Sequence, residues 1–227
     1  MKSNSWKEVK TPSHEDRIWE LYHENSKTST YYRKIISDAN QEEYAKTIFT
    51  SLPVSAKEII HLPAKCKVSP GQFTFNELSA LLYSIFSTVN DASNISSLEL
   101  YIQIINVSNC KSGLYHCDPD RKELHYFDEN LCESGKENDN DNKFSNASAV
   151  IYITAVFTRL TAVYGEIGYR KCLIEAGKMI QQICDSCNSL KVRCQEREYT
   201  LEREVEKYLG INGVDHSILS SLLIGKG

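Results

Sequence analysis

Residues 149–190 read AVIYITAVFTRLTAVYGEIGYRKCLIEAGKMIQQICDSCNSL and hold the longest apolar run and the longest helical pattern in the chain. The run 149–157 is apolar and rich in β-branched residues, which predicts a buried strand. From Gly168 to Leu190 the apolar residues recur at helical spacing instead, which predicts a long helix with one apolar stripe. The sequence therefore places a buried strand shortly before a long amphipathic helix.

On either side of this segment, helical and strand patterns both occur. Apolar residues at helical spacing predict three more helices, at 13–26, 73–89 and 200–209. Apolar or alternating runs predict strands at 98–105 and 218–224, and a hairpin of 113–117 with 124–127 around an Asp-Pro-Asp turn. This order of elements predicts an α+β fold in which helices surround one mostly antiparallel sheet.

The chain of 227 residues has the length of one compact domain, and we find no repeat or linker that would divide it. Residues 1–45 are predicted to form a helical N-terminal extension of that domain. Residues 53–73 hold three of the five prolines and predict an extended connection. Residues 129–146 are rich in Asn, Asp, Glu and Lys, which predicts a mobile polar loop.

Charge and hydropathy exclude several classes of protein. The formal net charge of -4 gives no basic footprint for nucleic acid. No apolar run approaches the roughly 20 residues that a bilayer span needs, and the first ten residues lack the apolar core of a signal peptide. The sequence therefore predicts a cytoplasmic protein that binds neither nucleic acid nor membrane.

Eight cysteines raise the question of a metal site or disulfides. Cys184 and Cys187 form one close pair, with Cys194 seven positions further on, but no second pair or matching histidines follow. A structural zinc site needs four such ligands. Cys184 and Cys187 also share a helix face, where cysteine behaves as a small apolar residue. We therefore predict neither a metal nor a disulfide.

Several short motifs occur in an order that resembles one known family. Tyr22-His23-Glu24-Asn25-Ser26-Lys27 is similar to a YHxxSK element, and the segment 113–119, GLYHCDP, to a GLYHYDP strand. Between Phe157 and Gly177 the chain has a Phe-x-Arg start, then Tyr164, GYR and EAG. This succession resembles the SagB/ThcOx-type dehydrogenases of the nitroreductase-like family.

The resemblance implies an FMN-dependent homodimer with flavin at the subunit interface. Members of this family oxidise thiazolines and oxazolines of ribosomal peptides to thiazoles and oxazoles, beside a cyclodehydratase that forms the rings on a precursor peptide. The apolar stripe of the helix from Gly168 to Leu190 is longer than a peripheral helix needs. Together with the family's dimer, it predicts that this helix contributes to the subunit interface.

The resemblance also indicates a catalytic residue. The family's Lys-Tyr pair is Val163-Tyr164 here, which leaves Tyr164 as the candidate acid–base group. An unperturbed phenol titrates near pH 10, so it needs a neighbouring cation to help at neutral pH. Valine cannot supply that cation, and tyrosine is common in this chain, so Tyr164 could instead be a packing residue.

At the positions where the family binds FMN, this chain has different residues. Where the family has arginines for the FMN phosphate, this chain has Lys65 and Lys67, which bind phosphate only as point charges. In the flavin loop Ala92, Asn94 and Ile95 are compatible with the family, but its proline and glycine are missing. Ser93 stands at the glycine position, where a side chain restricts the backbone dihedrals. Ala92, Ser93 and Asn94 are the candidate flavin contacts in this loop. Arg170 and Gln182 complete the candidate flavin contacts.

These departures leave two hypotheses open. The first is a divergent FMN-dependent azoline oxidase that uses Tyr164 and the lysines. The second is a flavin-poor pseudo-oxidase that serves as a structural subunit of a heterocyclase complex. A reductase of the same superfamily is a third, because a fold does not determine the reaction.

Overall fold

The computed structural model describes residues 56–63, 73–89, 97–129, 147–197 and 202–226. They form seven strands and four helices, in the order β1 (Glu58–His61), α1 (Phe75–Val89), β2 (Leu98–Ile104), β3 (Gly113–Asp118), β4 (Glu123–Asp128), β5 (Ala149–Val156), α2 (Phe157–Tyr164), α3 (Ile167–Ser189), β6 (Arg193–Glu196), α4 (Glu202–Leu209) and β7 (His216–Gly225). The predicted helix 13–26, the extension 1–45 and all but the first residue of the loop 129–146 lie outside the described residues.

The seven strands form one sheet in the order β1-β4-β3-β2-β5-β7-β6. All six strand pairings are antiparallel. The hairpin β3–β4 closes as predicted, because Asp118 Oδ1 accepts hydrogen bonds from the backbone amides of Asp120 and Arg121. The prediction of an α+β fold with a mostly antiparallel sheet is therefore confirmed.

Both faces of the sheet are covered near its centre, where all eight residues of β5 are buried. Helices α1 and α3 pack on one face, which we call the first face, against side chains such as Leu100 and Ile102 of β2. Helix α4 packs on the second face through Val205 and Leu209. Because side chains alternate along a strand, β2 directs Tyr101 to this second face.

A capping box begins helix α1 two residues later than the sequence predicted. Glu77 Oε2 accepts a hydrogen bond from the backbone amide of Thr74 at 2.9 Å, and the amide of Glu77 donates to Thr74 Oγ1 at 3.4 Å. These reciprocal bonds satisfy amides that have no partner within the helix. Glu77 is fully buried and pairs with Lys226 Nζ at 2.6 Å, which ties the end of β7 to the start of α1.

Several boundaries and elements differ from the sequence prediction. The segment predicted as an extended connection contains strand β1, and strand β6 was not predicted at all. Both are four-residue edge strands with mostly exposed residues, so neither shows apolar alternation. The strand predicted to end at Phe157 ends at Val156, because the amides of Phe157 and Thr158 bond to Asp215 and a new helix begins.

The apolar stripe of α3 packs within the chain's own core. Five of its residues are buried against the first face, namely Cys172, Ala176, Met179, Ile183 and Cys187. The stripe is therefore not the surface through which α3 would meet a second copy. Among the described helices, α3 included, none is long and apolar enough to cross a bilayer.

Candidate functional site

The corner between α2 and α3 positions Tyr164, the predicted catalytic residue. Tyr164 is the last residue of α2, and the next residue, Gly165, has φ 61° and donates its amide to Thr161 O at 2.8 Å. Gly168 then donates to Gly165 O at 2.9 Å as α3 begins. A left-handed φ favours glycine, so Gly165 lets the chain turn directly from one helix into the next.

Close backbone contact holds this corner together. A Cβ built on Gly168 would lie 2.6 Å from the backbone nitrogen of Thr161 and closer still to the carbonyl of Leu160. Only glycine therefore fits where the first turn of α3 crosses α2. The ring of Phe157, at the start of α2, also contacts the ring of Tyr169, with centroids 4.8 Å apart.

A cation lies beside Tyr164. Lys171 Nζ is 4.2 Å from the centroid of the tyrosine ring, within the range of a cation–π interaction. Lys171 is one turn into α3, so the corner itself brings the two side chains together. Val163, at the position of the family's lysine, is buried. The positive charge that position 163 lacks is therefore present, but it comes from the next helix.

A buried serine connects the predicted flavin loop to the same helix. Ser97 follows residues 92–94 by a few positions and donates its hydroxyl to Glu175 Oε2 at 3.2 Å. Burial raises the pKa of Glu175, although Ser97 and the charges of Lys171 and Lys178 partly oppose the shift. Tyr164, Lys171, Glu175 and Ser97 are linked through these contacts, and we call them the α2–α3 cluster.

Of the other predicted site residues, one lies near Tyr164, one lies far from it, and five are not described. Arg170 is half-buried next to Lys171, and among the described residues it has no ion-pair partner. Gln182 is half-buried but lies about 18 Å further along α3, given a rise of 1.5 Å per residue. Five predicted contacts lie outside the described residues, namely Lys65, Lys67, Ala92, Ser93 and Asn94.

Lys171, Ser97 and Glu175 were not predicted from the sequence to belong to the candidate site. Lys171 and Glu175 are four residues apart on a predicted helix, so their shared face was recognisable. The contact of Lys171 with Tyr164 was not, because it depends on the angle between α2 and α3.

The second face of the sheet carries a separate buried polar network. Glu99 forms an ion pair with Arg159 and accepts a hydrogen bond from His116 Nε2 at 2.7 Å. Burial would raise the pKa of Glu99, but His116 and Arg159 outweigh it and hold this pKa below its ordinary value. His216 Nε2 lies 2.8 Å from the hydroxyl of Thr154, and burial lowers the pKa of His216.

Two thiols meet where the end of α3 packs on β6. The Sγ atoms of Cys184 and Cys194 are 3.8 Å apart, and burial raises the pKa of Cys184 to about 11. Among the described residues, no three metal-ligating groups that include a cysteine lie close together. A cleft of about 610 Å³ runs past Cys194 and Arg193, roughly 27 Å along α3 from Arg170, so it is distant from the α2–α3 cluster.

Comparison with known proteins gives structural neighbours only. The sequence matches no family model and no curated protein. The structure is similar to a protein of Anabaena variabilis assigned as a nitroreductase, with a TM-score of 0.67 and 18% identity over 91% of this chain and 46% of that one. The chain thus spans about half the length of that protein. A Ralstonia eutropha protein with the same assignment has a TM-score of 0.55 and 15% identity over 77% of this chain and 91% of that one.

A third neighbour belongs to a peptide-tailoring assembly. It is a chain of the Escherichia coli microcin synthetase McbBCD complex with truncated pro-MccB17 bound. Its TM-score is 0.54, with 13% identity over 91% of this chain and 86% of that one. Identities this low bear on the fold alone, and all three neighbours agree on it. The chain has the nitroreductase-like fold.

Proposed function

We propose that this protein is an FMN-dependent oxidoreductase that oxidises peptide thiazolines or oxazolines to azoles, as a homodimer beside a cyclodehydratase and its precursor peptide. The observation that carries the proposal is the contact between Tyr164 and Lys171 at 4.2 Å. It supplies the cation that Val163 cannot, next to the residue that the family resemblance assigns to proton transfer. The likeness to a chain of a microcin synthetase complex supports the peptide substrate.

Aromatisation of a thiazoline removes one hydride and one proton from the ring. FMN, when bound, supplies the hydride acceptor. In this proposal the phenolate of Tyr164 takes the ring proton and becomes the neutral phenol, with the cation of Lys171 beside its ring. Glu175 accepts a hydrogen bond from Ser97, which follows the proposed flavin contacts Ala92, Ser93 and Asn94 in the sequence.

Arg170 is the described residue whose charge suits the phosphate of FMN. A phosphate needs positive groups that are not already neutralised, and Arg170 is such a group within the described part of the chain. Its planar guanidinium can bind two phosphate oxygens at once, whereas Lys65 and Lys67 would contribute point charges. Gln182 remains a proposed flavin contact. Because it is far from Arg170, it would contact either a different part of the same cofactor or the flavin bound by a second copy.

One observation favours a second candidate function. Val163 is buried in the chain's core, so the family's lysine could not be restored there without disrupting packing. A chain that had given up catalysis would tolerate this change. The second candidate is therefore a flavin-poor pseudo-oxidase that acts as a structural subunit of a heterocyclase complex.

The decisive experiment follows the mass of a precursor peptide incubated with its cyclodehydratase, FMN and this protein. Oxidation appears as the loss of two hydrogens per ring. We expect wild-type protein to catalyse it, and Tyr164→Phe to slow it by about 10²- to 10⁴-fold, the usual contribution of a general acid–base group. Lys171→Gln should also slow the reaction, because it removes the cation beside the ring.

Two control variants separate chemistry from folding. Tyr208→Phe removes a hydroxyl from α4 on the opposite face, and Lys207→Gln removes an exposed charge from the same helix; both should retain full activity. Lys65→Ala with Lys67→Ala should instead reduce the flavin absorbance of the purified protein. If wild-type protein with added FMN removes no hydrogens from the peptide, the oxidase proposal fails and the structural subunit replaces it.

A further inference from the structure

Histidines and carboxylates meet on the second face of the sheet, at the end of the β3–β4 hairpin. In the sheet register, Glu123 of β4 stands opposite His61 of β1 on one side and Asp118 of β3 on the other. His125 is two residues along β4 from Glu123, and therefore faces the same way. We call Asp118, Glu123, His125 and His61 the hairpin cluster.

Three residues of the hairpin cluster have ligand atoms within reach of one ion, and the fourth, His61, contacts one of them. One ligand atom each from Asp118, Glu123 and His125 lies within 4.8 Å of the other two. Glu123 Oε1 is 3.1 Å from His61 Nδ1, and Glu123 Oε2 is 3.1 Å from His125 Nε2. Three of the four side chains are largely buried, whereas His61 is 78% exposed.

Negative charge in the hairpin cluster is poorly neutralised. Within the described residues, Arg121 is the cation at ion-pair distance from Asp118, at 3.8 Å, and its side chain is mostly exposed. Glu123 meets histidines and, in the described part of the chain, no lysine or arginine. Glu99, on the same face of the sheet, differs because its charge is neutralised by the buried Arg159.

A second observation comes from the neighbouring strand. His116 stands directly opposite His125, with ring centroids 6.0 Å apart. Its Nε2 is occupied by Glu99, but its Nδ1 is buried and has no hydrogen-bond partner among the residues that the structure describes. A buried nitrogen without a partner is the kind of feature that an ordered water or ion explains.

We infer that the hairpin cluster binds a divalent first-row transition metal ion, with Asp118, Glu123 and His125 as ligands and His61 as the fourth ligand from β1. Carboxylate oxygens with imidazole nitrogens suit zinc and its neighbours rather than a soft thiolate metal. The ion would join the ends of three strands, β1, β4 and β3. The sequence prediction of no metal rested on the cysteine spacing, and this site uses no cysteine.

Zinc is the probe for the test. Full-length protein is freed of metal with a chelator and titrated with Zn²⁺ by calorimetry. We expect one saturable site per chain and a higher melting temperature with zinc, because an ion that binds only the folded state stabilises it. Glu123→Gln and His125→Asn should each weaken binding at least about tenfold, since even the outer partners of metal ligands contribute that much.

Three further variants test whether zinc binds at the hairpin cluster or elsewhere on the chain. Asp120→Asn removes an exposed carboxylate from the same turn and should leave affinity unchanged. Cys184→Ser with Cys194→Ser removes the thiol pair and should also leave it unchanged. His61→Ala alters a mostly exposed side chain, so it should weaken binding without affecting the fold, even if the buried variants unfold. The inference is overturned if zinc does not saturate one site, if His61→Ala binds like wild type, or if the thiol variant alone loses binding.

Discussion

At the scale of single residues, Glu99 and Arg159 form a buried ion pair in which each charge neutralises the other. Glu99 and Arg159 are each only 13% exposed, and they form their ion pair within the second face of the sheet. Breaking a buried pair costs more than the pair contributes, because the remaining charge stays desolvated.

We therefore expect Glu99→Gln to lower the free energy of unfolding by about 3 kcal/mol, since Arg159 would remain buried without this counter-charge. Urea denaturation measures this loss. The matched control is Asp128→Asn, which removes a surface pair with Lys57 at 3.7 Å and should cost less than about 1 kcal/mol. Equal losses in the two variants would contradict the assignment of a buried pair.

The same variant has a defined pH dependence. The folded-state pKa of Glu99 is below its ordinary value, so its contribution to stability is complete above the pKa of the unfolded chain. It is lost as the pH falls through the lower, folded-state pKa. The difference in unfolding free energy between wild type and Glu99→Gln should thus shrink as the solution is acidified. A difference that is constant with pH would show that the charge of Glu99 is not responsible.

Residue-scale predictions from sequence were possible where a motif gave the position, but not where a contact depends on geometry. Tyr164 was proposed from the family resemblance. Its neighbour Lys171 was not, since the distance between them depends on the turn at Gly165. The hairpin cluster was missed for a related reason: His61 joins it through strand β1, which has no apolar alternation to reveal it.

At the scale of elements, the corner between α2 and α3 depends on one glycine. We expect Gly168→Ala to destabilise the protein by about 1–3 kcal/mol, the usual cost of overpacking, because the new Cβ would overlap the backbone of Leu160 and Thr161. The control is Gly177→Ala in the same helix, where no atom lies within 4 Å of the added Cβ. That change should stabilise the protein by roughly 0.5–1 kcal/mol, through helix propensity.

Thermal or urea unfolding distinguishes the two glycine variants. If Gly168→Ala is as stable as wild type, the helices do not cross as closely as described. Because the corner also positions Tyr164 beside Lys171, the proposed activity of Gly168→Ala should fall further than its loss of stability explains.

Element boundaries show what the sequence patterns could and could not predict. Strands β2, β5 and β7 were predicted because burial requires apolar or alternating residues, and these patterns are visible in the sequence. Strands β1 and β6 were missed because a four-residue edge strand exposes most of its side chains. Helix α2 was not separated from the preceding strand, because its start depends on Asp215, which lies almost sixty residues away in sequence.

At the scale of the whole molecule, the proposed homodimer needs a surface that the fold leaves open. Helix α3 exposes Leu173 by 41% and Ile174 by 53%, and the exposed Gly177 lies one turn further along. We expect light scattering to report a dimer for wild type and a monomer for Ile174→Asp, because a buried charge would disrupt an apolar interface. Ile59→Asp, at a residue equally exposed on β1, should remain a dimer. A wild-type monomer at micromolar concentration would disprove the dimer.

The strand order has a consequence for how the molecule avoids aggregation. In the described part of the chain, the open edges of the sheet are β1 and β6, each of four residues. An unpaired edge can recruit a strand from another molecule, and short edges with charged side chains oppose this. β6 carries Arg193 and Glu196, and β1 carries Glu58, whereas the apolar strand β5 is paired along its length with β2 on one side and β7 on the other. The edges of β5 are therefore exposed only when the sheet itself opens.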